Sequence, residues 1–238
     1  MPRVTIAERV RRIDWASVEF ALTQNGYARL PGLLGAAECA ALIALYERTD
    51  RFRKRIDMER HRFGIGEYKY FDRPLPPIVR ALRNGAYRPL ATIANRWMSD
   101  LGSEERFPAR LGGFIDLCRR AGQTKPTPLL LRYAAGGYNC LHQDLYGEVA
   151  FPLQLACLLS RPEIDYRGGE FMLVEQRPRA QSVGHAVALQ RGEGIIFPTR
   201  VRPLAGTRGY YRATVRHGVS RLSSGSRFTL GVIFHDAG

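Results

Sequence analysis

A few polar residues in the C-terminal half of the chain have the types and spacing that oxygen-activating metal chemistry requires. His142 and Asp144 are two positions apart, and His217 follows much later, at the end of an apolar run. Two imidazoles and one carboxylate form the facial ligand set of non-haem Fe(II) oxygenases, which leaves the remaining metal positions open for cosubstrate and O₂. Ten positions after His217, Arg227 begins the last apolar run, with Thr229 beside it. A buried guanidinium near such a metal could bind a dicarboxylate cosubstrate by a bidentate, charge-assisted pair.

The order of these residues along the chain is more specific than the motif itself. An HxD pair arises often by chance, and a single histidine on a strand is more often a satisfied core residue than a ligand. Here HxD follows an early strand, the second histidine ends the next-to-last strand, and Arg-x-Thr lies inside the last one. This order predicts His142, Asp144 and His217 as metal ligands contributed by neighbouring strands.

The elements that must position these residues change in character at about residue 125. Before it, residues 14–26, 36–49, 77–101 and 108–120 have helical spacing, and the last two stretches begin at prolines. After it, short apolar runs separated by Gly, Pro and polar clusters predict strands. The predicted strands are 129–133, 149–159, 170–174, 186–189, 194–197, 212–217 and 227–234.

This pattern predicts a mainly β fold with an α-helical layer. Many short strands behind helices indicate a double-stranded β-helix, a jelly roll of the cupin type, with the N-terminal helices packed on one sheet. Because no linker separates the two parts, we expect residues 1–238 to form one domain. Residues 1–125 would form the helical layer and residues 126–238 the jelly-roll core.

The last predicted strand has one face suited to a ligand and one suited to the core. Side chains alternate between the two faces of a strand. One face therefore carries Arg227, Thr229, Gly231 and Ile233, and the other carries Phe228, Leu230, Val232 and Phe234. We expect the aromatic face to pack on helices and the Arg–Thr face to point into the barrel.

Several longer motifs resemble a known superfamily. The segments LLLRYAAGGYNCLHQDLYG, RGGEF, RGEGIIF and RHGVSRLSSGSRFTLGVIFHD are similar to those of the 2-oxoglutarate/Fe(II)-dependent dioxygenases, on the prolyl-4-hydroxylase-like side. Together with the upstream GEYKYFDRPLP and ANRW, they more closely resemble a bacterial oxygenase family described as acting on alkylated or damaged DNA. The resemblance covers nearly the whole chain.

The resemblance implies a ligand set and a reaction. Fe(II) would be bound by His142, Asp144 and His217, and 2-oxoglutarate by Arg227 and Thr229, with O₂ as the oxidant. Tyr133 resembles the tyrosine that reaches the cosubstrate in related enzymes, although a core tyrosine at a strand end is the structural alternative. The implied reaction hydroxylates a C–H bond while 2-oxoglutarate and O₂ become succinate and CO₂. Residues flanking the ligands are the expected substrate contacts: Tyr138, Asn139, Gln143 and Tyr146.

Net charge suggests the substrate class. The formal charge is +14 over 238 residues, which favours a polyanionic partner such as nucleic acid, although it could equally reflect composition and solubility. Residues 51–62 contain six Arg or Lys, and aromatic residues follow up to residue 71. This combination suits contacts with phosphates and bases, or a solvated helix end followed by a loop. A second basic stretch, residues 200–216, contains Tyr210 and Tyr211 and could lie near the active-site mouth.

Three functions follow, and they differ in substrate and in catalysis. The first is oxidative demethylation of alkylated nucleic acid. The second is hydroxylation of a protein side chain or a small metabolite. The third is a non-catalytic protein that senses iron or 2-oxoglutarate while it binds nucleic acid.

The cysteine spacing and the lengths of the apolar stretches indicate the cellular compartment that we expect for the protein. The four cysteines are widely spaced and form no CxxC pair, which argues against a structural zinc site and a disulfide framework. The N-terminus has no apolar leader and no stretch reaches membrane-spanning length, so we expect a cytoplasmic protein that does not bind membranes. The oligomeric state stays open.

Overall fold

A computed structural model describes residues 4–144 and 147–238, which form five α-helices and fourteen β-strands. The helices are α1 (Ile6–Arg11), α2 (Trp15–Asn25), α3 (Ala36–Leu45), α4 (Pro77–Asp100) and α5 (Leu111–Arg120). The strands of the N-terminal part are β1 (Ala28–Leu30), β2 (Phe52–Asp57), β3 (Gly64–Ile65) and β4 (Glu67–Phe71). The others are β5 (Leu129–Ala134), β6 (Tyr138–His142), β7 (Leu153–Leu158), β8 (Tyr166–Gly168), β9 (Phe171–Gln176), β10 (Val183–Val187), β11 (Gly194–Pro198), β12 (Val201–Gly206), β13 (Gly209–Val219) and β14 (Leu222–Val232).

The strands form two antiparallel sheets. The larger sheet has the order β1-β11-β7-β14-β5-β4-β2, and β8 pairs with one end of β14. The smaller sheet has the order β10-β9-β13-β6-β3, and β12 pairs with β13. This arrangement confirms the predicted mainly β fold, a double-stranded β-helix with an N-terminal helical part.

Successive side chains along the central strands point to opposite faces and pack in two separate hydrophobic cores. Leu153, Leu155 and Cys157 of β7 pack in the large cluster that includes the buried residues of α4, whereas Ala156 and Leu158 face the space between the sheets. The last strand alternates in the same way, as its sequence predicts. Leu230, Val232 and Phe234 contact the helical layer, and the opposite face lines an internal cavity. The functional side chains therefore lie between the sheets, away from the helices.

Local sequence signals explain the helices of this layer. The Asp14 side chain accepts hydrogen bonds from the Ala16 and Ser17 amides at the start of α2, and Gly26 ends it at φ 78°. Helix α4 has proline at its first position and a buried stripe that includes Tyr87. The Tyr87 ring lies 6.0 Å from that of Phe234, so this helix covers the aromatic face of β14.

Several elements differ from the sequence-based expectation. Residues 52–71 form the β2–β4 hairpin instead of a helix end and a loop, and β4 extends the larger sheet beside β5. Helix α3 ends at Leu45, four residues before the expected end at residue 49, and Lys69 Nζ donates to the Tyr46 carbonyl just beyond it at 2.7 Å. Helix α5 begins at Leu111, three residues later than expected.

Two further features concern helix hydropathy and the exposure of the cysteines. Among the described residues, no helix is both long and apolar enough to span a membrane. Cys140 is exposed, in contrast to the other three cysteines, which are buried.

Candidate metal centre and pocket

The three predicted ligands converge because their strands are neighbours. β6 ends at His142, and the cross-strand partner of His142 on β13 is His217. Asp144 follows two residues later, outside the strand. His142 Nε2 lies 3.5 Å from Asp144 Oδ1, and His217 Nε2 lies 3.2 Å from Asp144 Oδ2. One ligand atom from each residue lies within 4.8 Å of the other two, so the three groups can coordinate a single ion.

Hydrogen bonds and packing orient the two imidazoles. His142 Nδ1 lies 2.8 Å from the Cys140 carbonyl; donation there makes Nε2 the metal-facing nitrogen of the neutral ring. The His217 ring packs against the rings of Phe171 and Phe197, with centroids 6.2 Å and 4.7 Å away. Because both rings are held, little ordering is required when an ion binds.

The charge state of the cluster suits a divalent cation. Burial alone would raise the pKa of Asp144, but contact with His142, whose own pKa is raised by this contact, and with His217 holds the pKa of Asp144 well below its usual range. Burial lowers the pKa of His217, which keeps the imidazole neutral and its lone pair available. An ionised carboxylate and a neutral imidazole are the forms that bind metals.

Gln154 is a contact of this cluster that the sequence reasoning missed. Its Nε2 donates to Asp144 Oδ2 at 2.8 Å and lies 3.3 Å from His217 Nε2. Gln154 is buried on β7 and is the polar residue within the apolar run 151–159. That interruption was the available signal, since a buried amide needs a partner.

The predicted cosubstrate residues form a second polar group in the same cavity. Arg227 and Tyr133 are cross-strand partners on β14 and β5, and the Arg227 Cζ lies 5.9 Å from the Tyr133 ring centre. Arg227 Nη1 donates to Thr229 Oγ1 at 2.6 Å. The centre of the Tyr166 ring, which the sequence reasoning also missed, lies 5.9 Å from the Arg227 Cζ. All four residues are buried.

Two atoms of this group need a partner. Within the described residues, the Tyr133 hydroxyl and Arg227 Nε are buried and make no hydrogen bond of normal geometry. Burial raises the pKa of Tyr133, and Arg227 and Asn139 offset that rise only in part, so the hydroxyl keeps its proton as a donor. Buried donors without partners are costly. A carboxylate would satisfy both.

The cavity that joins the two groups has the size of a small-molecule site. Its volume is about 340 Å³, within the usual range for ligand pockets. The ligand triad lines it together with Arg227, Thr229 and Tyr133, and Leu131, Ala156 and Ile233 add apolar walls. A dicarboxylate that chelates a metal at one end and meets a guanidinium at the other fits this arrangement of donors and apolar walls.

Two glycines with positive φ lie near the pocket, and one of them is closely packed. Gly136, at φ 82°, forms the turn between β5 and β6. Gly169, at φ 67°, lies where an added Cβ would be 2.7 Å from Leu222 and 3.1 Å from the Arg227 side chain. A larger residue at Gly169 would displace the guanidinium.

The predicted substrate contacts occupy different places. Asn139 and Gln143 line the cavity, but both Gln143 amide hydrogens are used, because Nε2 donates to the backbone carbonyls of Arg200 and Val215. Tyr138 is not among the lining residues, and Arg221 lies over its ring at 4.6 Å. Tyr146 lies outside the described residues.

Comparisons with known proteins agree with this architecture. A model of the family Oxygenase-NA, described as "Oxygenase, catalysing oxidative methylation of damaged DNA", matches residues 66–237. An uncharacterized protein of Mycobacterium tuberculosis, present in two strains, is 49% identical over 167 residues, which are 70% of this chain and 72% of that protein.

Solved structures share the fold at low sequence identity. A prolyl-4-hydroxylase from Pseudomonas putida aligns with a TM-score of 0.57 at 17% identity, over 94% of this chain and 100% of that chain. A 2-oxoglutarate/Fe(II) oxygenase-family oxidoreductase from Burkholderia pseudomallei aligns with a TM-score of 0.52 at 18% identity, over 95% and 94%. A prolyl hydroxylase from Trichoplax adhaerens, in complex with a peptide fragment, has a TM-score of 0.54 at 13% identity, over 96% and 91%.

Proposed function

Because the chain belongs to the Oxygenase-NA family and is an oxidoreductase of the 2-oxoglutarate/Fe(II) class, we propose that it removes N-methyl groups from alkylated nucleic acid by oxidation. Hydroxylation of an N-methyl carbon gives a hemiaminal, which decomposes to formaldehyde and the unmodified base. The observation that carries the proposal is the convergence of His142, Asp144 and His217 in one cavity with Arg227.

Each group of the pocket would have a defined task. Fe(II) would be held by His142 Nε2, His217 Nε2 and the Asp144 carboxylate. The distal carboxylate of 2-oxoglutarate would accept hydrogen bonds from Arg227 and Tyr133, and Thr229 would hold the guanidinium in place. When bound, iron and 2-oxoglutarate supply the oxidation of a C–H bond by O₂, with release of succinate and CO₂.

The remaining residues of the cavity orient a ligand side chain and exclude water. Gln154 holds the Asp144 carboxylate in one orientation through its hydrogen bond to Oδ2. Leu131, Ala156 and Ile233 provide apolar walls, which exclude water and strengthen the interaction between Arg227 and a carboxylate. The oxidising centre would thereby lie in a largely apolar cavity that the target group enters.

The substrate assignment is supported by two independent features. One is the family description, which concerns damaged DNA. The other is the net charge of +14, because binding of nucleic acid depends largely on neutralising phosphates. Hydroxylation of a protein side chain or a metabolite is the competing function, and the site chemistry would be the same.

Product analysis separates these substrates. Fe(II)-loaded protein would be incubated in air with 2-oxoglutarate and N-methylated single-stranded DNA, with the unmethylated strand, or with no substrate. We expect succinate and formaldehyde to rise together only with the methylated strand, and Asp144→Ala to produce neither. Equal succinate in all three reactions, without formaldehyde, would contradict the nucleic-acid substrate and favour a protein or small molecule.

A further inference from the structure

Exposed apolar side chains lie at the mouth of the cavity. Phe63 and Leu141 both line the cavity, and they are 47% and 46% exposed. The neighbouring Ile65 is 39% exposed. We call the set His61, Arg62, Phe63, Ile65 and Leu141 the rim patch. Exposed apolar groups at a pocket mouth indicate a contact surface for the molecule that enters.

The backbone fixes the position of the rim patch relative to the metal centre. β3 pairs with β6, with Ile65 opposite Tyr138, and the Cys140 amide donates to the Phe63 carbonyl at 2.8 Å. β6 ends at His142, one of the proposed ligands. The rim patch therefore lies on the backbone adjoining the strand that carries the metal ligand.

Two rings of the rim patch already stack. The centroids of His61 and Phe63 are 5.4 Å apart and their planes differ by 22°. Both residues are exposed, so the pair presents ring faces to solvent beside the cavity. A planar, uncharged ring system is the group that such a surface recognises best, and nucleobases stack on aromatic side chains with little dependence on sequence.

The charge around the rim patch favours a polyanion over a neutral peptide. Residues 51–62 contain six Arg or Lys and two carboxylates. Among the described residues Arg62 makes no ion pair, and it lines the cavity. Arg221 is exposed over Tyr138 on the adjacent strand. Cations interleaved with exposed rings can follow a phosphate backbone while bases stack.

Several other basic and aromatic residues of these two stretches have structural roles or lie elsewhere. Arg53 donates to the Pro126 carbonyl and lies 4.5 Å from the ring of the buried Tyr70. Arg55 forms an ion pair with Glu67. Tyr210, in the second basic stretch, contributes to a different surface cleft beside α4. In contrast to these residues, the rim patch is available to a ligand at the mouth of the cavity.

From these observations we propose that the rim patch is a stacking platform for unpaired nucleic acid, on which the base next to the target base stacks. The inference rests on the proposed function, and it adds that the strand enters single-stranded or locally unpaired. In a duplex the faces of neighbouring bases are covered by each other, so the platform would have no partner unless the bases separate. Arg62 would contact the adjoining phosphate.

The test is a binding measurement that does not depend on turnover. The probe is a short fluorescein-labelled DNA strand with one N-methylated adenine, used single-stranded and annealed to its complement, with affinity read by fluorescence anisotropy at fixed salt. The first variant, Phe63→Leu, keeps an apolar side chain and removes the ring. The second variant, Phe63→Trp, keeps an aromatic ring at this position. Phe20→Leu is the matched control, because Phe20 is 67% exposed on α2, away from the cavity lining.

We expect Phe63→Leu to bind the single strand about tenfold more weakly, which corresponds to about 1.4 kcal/mol and is typical of one lost base stack. Phe63→Trp should bind at least as tightly as the unaltered protein, and Phe20→Leu should match it. The duplex should bind more weakly than the single strand and respond little to Phe63.

Three results would overturn the inference. One is equal binding of the single strand by Phe63→Leu and the unaltered protein, with unchanged thermal midpoints. Another is a duplex that binds as tightly as the single strand. The last is no binding of either DNA at low salt, which would point to a peptide or metabolite. Because binding is read without turnover, a platform that binds DNA while no formaldehyde forms would contradict the proposed function and leave the platform intact.

Discussion

Within the described residues of the C-terminal half, two His–Asp groups can be compared, and one of them lines the cavity. Asp144 meets His142, His217 and Gln154 in this pocket. Asp236, next to His235, is fully buried and accepts from Arg83 at 2.8 Å and Arg73 at 2.5 Å. Similar side chains thus have different roles, because one carboxylate is paired with two arginines and the other lies beside two imidazoles whose nitrogens can share a metal ion with it.

The surroundings of His235 complete the contrast. Its Nδ1 accepts a hydrogen bond from the Phe151 amide at 3.2 Å, so the ring joins β14 to the segment before β7. Arg83 of α4 also donates to the Ile233 and Phe234 carbonyls. This group therefore ties the helical layer to the last strand. The comparison teaches that the partner of a buried His–Asp pair, more than the pair itself, determines its role.

The largest expected effect is loss of activity at the cavity-facing group. Asp144→Ala, His142→Ala and His217→Ala should each reduce 2-oxoglutarate turnover to that of metal-free protein, because two ligands alone hold Fe(II) poorly. The free energy of unfolding should change by no more than about 1–2 kcal/mol, the cost of a lost hydrogen bond. Succinate assays and urea unfolding measure both, and His185→Ala on β10 serves as a histidine control. Full activity in any ligand variant would refute the triad.

The reverse result is expected at the other group. Asp236→Ala removes the partner of the buried Arg83, and breaking a buried ion pair on one side costs about 3–5 kcal/mol. Urea unfolding should show this loss, while the protein that remains folded still binds one metal ion. A stability loss below about 1 kcal/mol would mean that this ion pair does not tie the layers together.

A third prediction concerns pH. Burial lowers the pKa of His235 to about 4, so between its usual value near 6.5 and about pH 4 the unfolded chain binds a proton that the folded chain does not. The free energy of unfolding should therefore fall as the pH drops through this window, by roughly 3 kcal/mol in total. His235→Gln, which keeps an acceptor for the Phe151 amide, should remove this component from a pH series of urea titrations. Identical pH profiles would contradict it.

The smallest expected effect is a loss of metal affinity when a neighbour of the proposed ligands is changed. Gln154→Leu deletes the hydrogen bond to Asp144 and leaves the ligands in place, and loss of such an outer contact typically weakens metal affinity 10–100-fold. Competition with a chelator would measure this, with Gln176→Leu on β9 as the control. Unchanged affinity would show that Gln154 fills space only.

The sequence predicted which polar side chains converge in the cavity better than it predicted the surface around them, for physical reasons. His142, Asp144, His217 and Arg227 could be identified because strand order and alternation place them on one interior face. Gln154 and Tyr166 were missed because their contacts depend on how the sheets face each other. Asn139 and Tyr138 lie on β6, whose sequence YNCLH has little alternation and was not predicted as a strand.

The basic segment illustrates the limit most clearly. Composition could not separate Arg55 from Arg62, because the distinction depends on Glu67 across the hairpin. Nor could it separate the buried Tyr70 from the exposed Phe63. Pairing across β2 and β4 makes both distinctions, and those partners become neighbours only when the chain folds.

The most direct test of this account is the stoichiometry of Fe(II) binding under anaerobic conditions in three proteins. The account predicts one ion per chain in the unaltered protein, one in folded Asp236→Ala, and none in Asp144→Ala. One tightly bound ion in Asp144→Ala, or its loss in folded Asp236→Ala, would contradict the assignment of the metal centre to His142, Asp144 and His217.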